Sequence, residues 1–264
     1  MLPLLFSIGP LNFYSLAIFL ALGFFLSAFF IWRRLRDLGL EEERVIDLIL
    51  LAAFSGLVFS RIFFIVQNLS FLGFNPLHWV LINRYPGLSF WGAIGGIILV
   101  VYLFSRRQNQ DFWQLIDEFV YSLMPLLILV QIGAFFDGAG FGKPTTMPWG
   151  IYVVGSLLKR QPLPLVMAMG FFILWLFMLR IERQWRTWNW YKSKSHGLIV
   201  LSFGFLAMIL NFFVAFWRDN LLYWYWLEIS LSLVLAVSFL GIIYLRSGRR
   251  QFGKAKGKVK KERS

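Results

Sequence analysis

No cysteine occurs anywhere in the 264 residues. A disulfide framework, a thiol nucleophile and a cysteine-based metal site are therefore excluded. Histidine is almost as scarce, with only His78 and His196. No cluster of His, Cys or carboxylates has metal-ligand spacing, so no metal is implied, and nothing points to a soluble cofactor. Charge is the third shortage. Charged residues make up 15% and hydrophobic ones 59%, with a mean hydropathy of +0.68, against about 25% and about 45–50% in soluble domains. So few charges cannot coat a water-soluble surface, and the chain belongs in a bilayer.

Seven apolar stretches carry that hydropathy: Leu11 to Trp32, Val45 to Val66, Leu88 to Phe104, Phe119 to Phe136, Pro164 to Leu179, Gly197 to Trp217 and Tyr223 to Leu245. A helix crossing a hydrocarbon core of about 30 Å needs roughly 20 residues. The stretches lack the in-out alternation of a membrane β-barrel. In lipid, backbone groups must be paired internally, so the stretches read as helices. The fold class is therefore all-α, a seven-transmembrane-helix integral membrane protein. The first stretch does not read as a cleavable signal peptide, because its basic residues (Arg33, Arg34, Arg36) follow it. No internal repeat is visible, which argues against an inverted-repeat transporter.

Basic residues are distributed unevenly. Residues 33–44, 105–118, 180–196 and the tail from Arg246 hold 20 Lys and Arg, while the alternate connections hold five: Arg84, Lys143, Lys159, Arg160 and Arg218. By the positive-inside rule this predicts an N-terminus outside and a C-terminus in the cytoplasm. Residues 1–245 form the membrane domain, and 246–264 a basic cytoplasmic tail with nine basic residues and one acid. Its composition predicts disorder and contact with anionic lipid. The formal charge of +13, read this way, gives no reason to expect nucleic acid as a partner. Tryptophans at the span ends, among them Trp32, Trp79, Trp149, Trp185, Trp217 and Trp226, read as an interfacial belt. His78 and His196 are expected at the surface.

Polar groups at membrane depth are costly and tend to have functions. Arg61 lies deep in the second stretch, where it reads either as a cation for an anionic headgroup or as an arginine snorkelling to the interface. Asn211, in the middle of the sixth, reads as interhelical glue. Two glycine-rich segments stand out, Gln131 to Pro144 with four glycines before Lys143 and the carboxylate Asp137, and Tyr85 to Gly96. Glycine lets backbone approach a ligand, and irregular backbone at such depth is tolerated where it lines a cavity. Together they suggest a polar cavity toward the outer leaflet; ordinary turn glycines are the other reading.

At these segments the chain resembles the prolipoprotein diacylglyceryl transferases. That family's signature, roughly Gly-Arg-x-Gly-Asn-Phe-x-Asn-Gly-Glu-x-x-Gly, is similar to Val130 to Gly142 here. Its second element, Gly-Gly-x-x-x-His-Gly-Gly-x-x-Gly, resembles Pro86 to Gly96, and its Arg-His-Pro-x-Gln-Leu-Tyr-Glu element resembles Arg160 to Met167. Asn12 to Ser15, Gly56 with Arg61, and Asn211 to Asp219 resemble three more, in the same order along the chain. Tyr14, Arg61, Gly133, Gly138, Gly142, Pro162 and Arg218 match, as does Asp117 before the fourth span. Trp91, Gln131, Ala134, Asp137, Gln161, Asn211 and Ala215 stand where the family pattern has other residues.

The resemblance implies seven spans with the N-terminus outside, in a bacterial-type cytoplasmic (inner) membrane. It also implies transfer of the diacylglyceryl group of phosphatidylglycerol to the lipobox cysteine thiol of a lipoprotein precursor, held by its signal peptide, with release of glycerol phosphate. A thiol of pKa about 8.5 needs a base or a cationic field to become thiolate, and the departing phosphate needs cations or N–H donors. On this reading Asp137 and Tyr14 are the candidate catalytic residues. Arg61, Arg218, Lys143, Gly133, Gly138 and Gly142 are the candidate phospholipid-binding residues. A non-catalytic relative that binds phospholipid or precursor, and an unrelated transporter, are the alternatives.

Overall fold

The computed structural model describes residues 4–8, 11–69, 73, 77, 79, 87–153, 155–188, 190–191, 193–219 and 222–248. In chain order the elements are β1 (Leu4–Ile8), β2 (Leu11–Tyr14), α1 (Ser15–Asp37), α2 (Glu42–Gln67), α3 (Phe90–Gln108), α4 (Phe112–Ser122) and α5 (Met124–Asp137). They continue with β3 (Ile151–Tyr152), β4 (Lys159–Arg160), α6 (Leu163–Gln184), α7 (Leu198–Ala215) and α8 (Leu222–Arg246). Among the described residues seven helical spans are long and apolar enough to cross a membrane, the fourth being α4 and α5 together. The chain is thus a multi-pass membrane protein, as its apolar stretches predict. Pro125 lies in the first turn of α5. A proline cannot donate the hydrogen bond that would continue α4 but is well suited to a helix start, so the span breaks at Leu123.

Two small antiparallel hairpins, β1–β2 and β3–β4, lie outside the spans. Alternation over two to five residues is too short to register against long apolar runs. His78, Arg84 and residues 249–264, most of the basic tail, lie outside the described residues.

The chain divides into two compact units, Phe30–Phe119 and Met1–Phe29 with Val120–Ser264. In the first of these α2 packs on α3. Gly92 and Gly96, four residues apart, share one face of α3. A Cβ on Gly96 would lie 3.0 Å from the Phe59 Cβ and one on Gly92 2.7 Å from the Phe63 Cβ. This is the small-xxx-small contact by which membrane helices approach closely without a hydrophobic drive between them. The Ser55 hydroxyl donates to the Gly96 carbonyl at 3.0 Å. These glycines are therefore helical packing residues, where the sequence suggested either a cavity lining or turns. Leu35, Val45, Leu48, Val101, Leu115 and Phe119 form the fully buried core of this unit.

In the second unit α1 packs on α5 through Gly23 and Gly133, where a Cβ would lie 2.9 Å from the Leu126 Cα and 2.8 Å from the Phe19 Cβ respectively. The Ser27 hydroxyl accepts the Leu126 N–H at 3.1 Å. It thereby satisfies one of the amides that a helix start leaves without an intrahelical partner. Phe19 stacks on Phe136 with centroids 5.7 Å apart. The run continues by contact of α5 with α6, α6 with α7 and α7 with α8. Asn211 bridges the last pair: its Nδ2 donates to the Ser232 hydroxyl at 2.8 Å, and that hydroxyl donates to the Glu228 carbonyl at 2.8 Å. The interhelical role expected of a mid-span asparagine is what the structure shows.

At the other end of this unit, Trp185, which caps the C-terminal end of α6, is buried. Its ring lies edge-on to those of Tyr191 and His196, each with centroids 6.0 Å away. His196 is accordingly half-buried, not the surface residue its lack of a motif suggested.

Candidate functional site

The candidate site lies where α1 begins and α5 ends. Phe19 and Leu16, in the first turns of α1, pack against the last turns of α5. Tyr14 immediately precedes α1 and Asp137 is the last residue of α5. Both candidate catalytic residues therefore lie at one end of this unit, Tyr14 about half exposed and Asp137 half-buried. A carboxylate at the C-terminal, negative end of a helix dipole does not stabilise that helix, so Asp137 is not explained by capping. The helix is closed instead by Gly138, in the left-handed region at φ 81°, where a Cβ would be strained. The Gly138 and Ala139 amides return to the Phe135 and Ala134 carbonyls at 3.3 and 2.9 Å.

Beyond Gly138 the backbone folds over an open pocket of about 340 Å³, lined by Gly138, Gly140, Phe141, Val153, Gly155, Ser156 and Arg160. Three strips of backbone fix its wall. The Gly142 amide donates to the Gln161 carbonyl (2.9 Å), the Gln161 amide to the Lys143 carbonyl (3.2 Å), and the Lys143 amide to the Trp217 carbonyl (2.8 Å). Gly142 makes this possible, because a Cβ there would overlap the Trp217 carbonyl oxygen and lie 2.8 Å from a Leu163 methyl. The turn after α7 is thereby stitched to the loop after α5 and to the approach to α6.

The cations of this end each have a partner. Lys143 donates its ammonium to the Phe216 carbonyl at 3.1 Å and sits 4.7 Å over the Tyr225 ring. Arg218 pairs with Glu228. Arg160 donates from Nη1 to the Asp219 carboxylate at 3.0 Å and from Nε to the Ser156 hydroxyl at 3.4 Å. Of these three, Arg160 alone lines the pocket. It stands in a segment that carries the resemblance, yet its residue type gave no reason to choose it over Lys159 beside it. The β3–β4 pairing, Ile151 opposite Arg160 and Tyr152 opposite Lys159, decides between them.

The remaining candidates have other surroundings. Gly133 is buried between α1 and α5. Arg61 belongs to the unit Phe30–Phe119. It is buried there, donating from Nε to the Trp79 carbonyl at 2.8 Å and from Nη1 to the Gly87 carbonyl at 3.0 Å, with its guanidinium 5.4 Å over the Phe64 ring. It thus ties the connection between α2 and α3 to the end of α2.

Seven spans with a glycine-walled, arginine-lined pocket beside a half-buried carboxylate define a multi-pass membrane protein whose polar site is built from loops at span ends. The family model described as prolipoprotein diacylglyceryl transferase matches residues 3–246. The chain belongs to that family. Among its relatives, a phosphatidylglycerol–prolipoprotein diacylglyceryl transferase of Wolbachia sp. subsp. Drosophila simulans is 30% identical over 244 residues, covering 89% of each chain. The one from Wolbachia sp. subsp. Brugia malayi is 28% identical over 267 residues, covering 95% of this chain and 96% of its own. That of Clostridium tetani is 24% identical over 213 residues, 80% of this chain and 85% of its own.

Proposed function

We propose that this protein transfers the diacylglyceryl group of phosphatidylglycerol to the lipobox cysteine of lipoprotein precursors. The observation that carries the reading is the family match, which runs from residue 3 to residue 246 and so includes every span and both sides of the pocket. In the reaction a carbon–sulfur bond forms between the precursor's thiol sulfur and the glyceryl carbon. The carbon–oxygen bond to phosphate breaks, glycerol phosphate leaves with the electron pair, and the thiol proton passes to a base. Asp137 is the base this reading assigns, and Tyr14 the hydroxyl that orients the reacting groups. Lys143 and Arg218 supply positive potential at the same end of the unit, Gly138 sets pocket backbone close to the headgroup, and Gly142 lets the wall behind it close. Arg61 supports the neighbouring loop or meets a headgroup of its own. The attacking thiol belongs to the substrate, which accords with a chain that has no cysteine.

The reading orients the N-terminus outside, so that the pocket end faces the outer leaflet, where precursor signal peptides emerge. Residues 1–245 are the membrane domain. The tail from 246 is its cytoplasmic, anionic-lipid-touching extension, which the imbalance of basic residues supports. Complementation of a bacterial strain depleted of its own transferase tests the reading: a reporter lipoprotein acquires the diacylglyceryl group when this chain is expressed. A reporter that stays unmodified, with the chain present in the membrane, sinks it.

A further inference from the structure

We infer that the Arg160–Asp219 ion pair is an exchangeable latch, in which Asp219 holds the place of a phosphodiester anion that Arg160 binds in the pocket. The inference deepens the transferase reading and rests on it only for the identity of the lipid. Arg160 is a pocket-lining residue, and its Nη1 is occupied by the Asp219 carboxylate at 3.0 Å while its Nε reaches the Ser156 hydroxyl at 3.4 Å. The pair is half open to solvent, with side-chain exposures of 32% and 50%. A pair so exposed shifts a stability equilibrium by a factor of about five at most, which is little to hold a loop shut. Arginine presents a planar fork that matches carboxylate and phosphate alike, so one anion replaces the other without moving the guanidinium. The Ser156 hydroxyl, whose own proton goes to the Leu158 carbonyl at 2.9 Å, accepts from Nε and holds the fork in place for either anion.

The backbone around the pair is made to hold this geometry. Arg160 sits in β4, paired with Ile151 of β3 and bridged to Pro144. Asp219 follows the turn whose Trp217 carbonyl is bound by the Lys143 amide. The two partners thus come from segments 59 residues apart joined through backbone, not through the ion pair. Releasing Asp219 therefore leaves the wall standing.

The anion is a phosphate ester, and it has two sources: the phosphodiester of an intact anionic phospholipid, or the phosphomonoester set free by the reaction. We assign the intact lipid, because the pocket is open and a chain that spans the bilayer meets the headgroup without leaving the membrane. The test uses the full chain purified in detergent and placed in vesicles of phosphatidylcholine with graded phosphatidylglycerol. Lipid retained by the protein is measured by native mass spectrometry, which needs no turnover. Arg160→Gln should lower the preference for phosphatidylglycerol about 10- to 100-fold, the value of a charge-assisted contact, and Arg160→Lys should restore part of it. Asp219→Asn should raise the preference several-fold by removing the competing anion. Lys159→Gln, which deletes the adjacent charge outside the pocket, should leave it unchanged.

A merely structural pair predicts the opposite for Asp219→Asn, since breaking it from either side would weaken the site. A lower preference in Asp219→Asn, or an unaltered one in Arg160→Gln, overturns the inference. So does a preference abolished by millimolar glycerol phosphate but not by phosphatidylglycerol dilution, which assigns the pocket to the released monoester. Because retention is read without transfer, a chain that lipidates no reporter but shows opposite shifts in the two variants keeps the latch and loses only the transferase reading.

Discussion

Replacing Gly142 with alanine tests whether the pocket wall depends on a missing side chain. The added Cβ overlaps a backbone oxygen, that of Trp217, and meets the Leu163 side chain at 2.8 and 2.9 Å. Backbone cannot rotate aside as a side-chain tip can, so the loop or the turn after α7 has to move. Overpacking of this kind costs about 1–3 kcal/mol. If the movement breaks the Gly142 to Gln161 and Lys143 to Trp217 hydrogen bonds, each adds about 0.5–1.5 kcal/mol. The total, about 2–6 kcal/mol, falls on the wall and leaves the helix–helix contacts of the spans intact. Gly95→Ala is the control, since nothing lies within 4 Å of its Cβ position and it sits inside α3. Thermal unfolding in detergent and lipidation of a reporter are measured together. Gly142→Ala should lose most of its lipidation and part of its stability, while Gly95→Ala keeps both. Wild-type stability and lipidation in Gly142→Ala would refute the claim that close backbone approach builds the wall.

Asp137→Asn should lower transfer about 10²- to 10⁴-fold, the usual worth of a general base, with lipid retention unchanged; equal turnover in single-turnover assays would remove Asp137 from that role. Asn211→Ala should cost about 0.6–1.7 kcal/mol, the range for hydrogen bonds between membrane helices, read as a lowered unfolding midpoint in detergent with Ser232→Ala giving a non-additive double mutant. Arg61→Gln should destabilise the unit Phe30–Phe119 by about 1.5–3 kcal/mol per lost carbonyl contact, seen as faster proteolysis of the connection between α2 and α3. Gly133→Val should drive α1 from α5, because its Cβ meets the Phe19 Cβ at 2.8 Å, seen as a lowered unfolding midpoint in detergent and, since the candidate site lies where these helices meet, as slower transfer.

What the sequence made legible follows from the kind of signal each feature leaves. The spans are readable because apolar content over twenty residues is a strong average, and their helical ends differ from the apolar limits by at most seven residues, at Phe112. α3, for example, runs on to Gln108 past the apolar limit at Phe104, since Arg106 and Arg107 continue a helix outside the hydrocarbon as readily as inside it. The break at Leu123 leaves no trace in the hydropathy, although Pro125 marks it, because the apolar run passes through it uninterrupted. The two glycine-rich segments look alike as strings but differ in structure. Gly92 and Gly96 share a helix face against α2, whereas Gly138 and Gly140 take left-handed conformations that end a helix and open a pocket. Helical spacing of four distinguishes the first, and the run of glycine with Lys143 and Pro144 the second. Arg160 is inconspicuous for a different reason. Its placement depends on the pairing of two-residue strands and on Asp219, distant in sequence, and neither leaves a local pattern.

The measurement that bears most directly on the central claim is transfer itself, with purified chain, phosphatidylglycerol labelled in its diacylglyceryl group, and a precursor peptide bearing a lipobox cysteine. The account predicts label in a thioether on that cysteine, one glycerol phosphate released per modified peptide, and neither product when the cysteine is replaced by serine. Retention of phosphatidylglycerol with no thioether and no glycerol phosphate would contradict it, and would mark the protein as a member of the family that binds the lipid without performing the transfer.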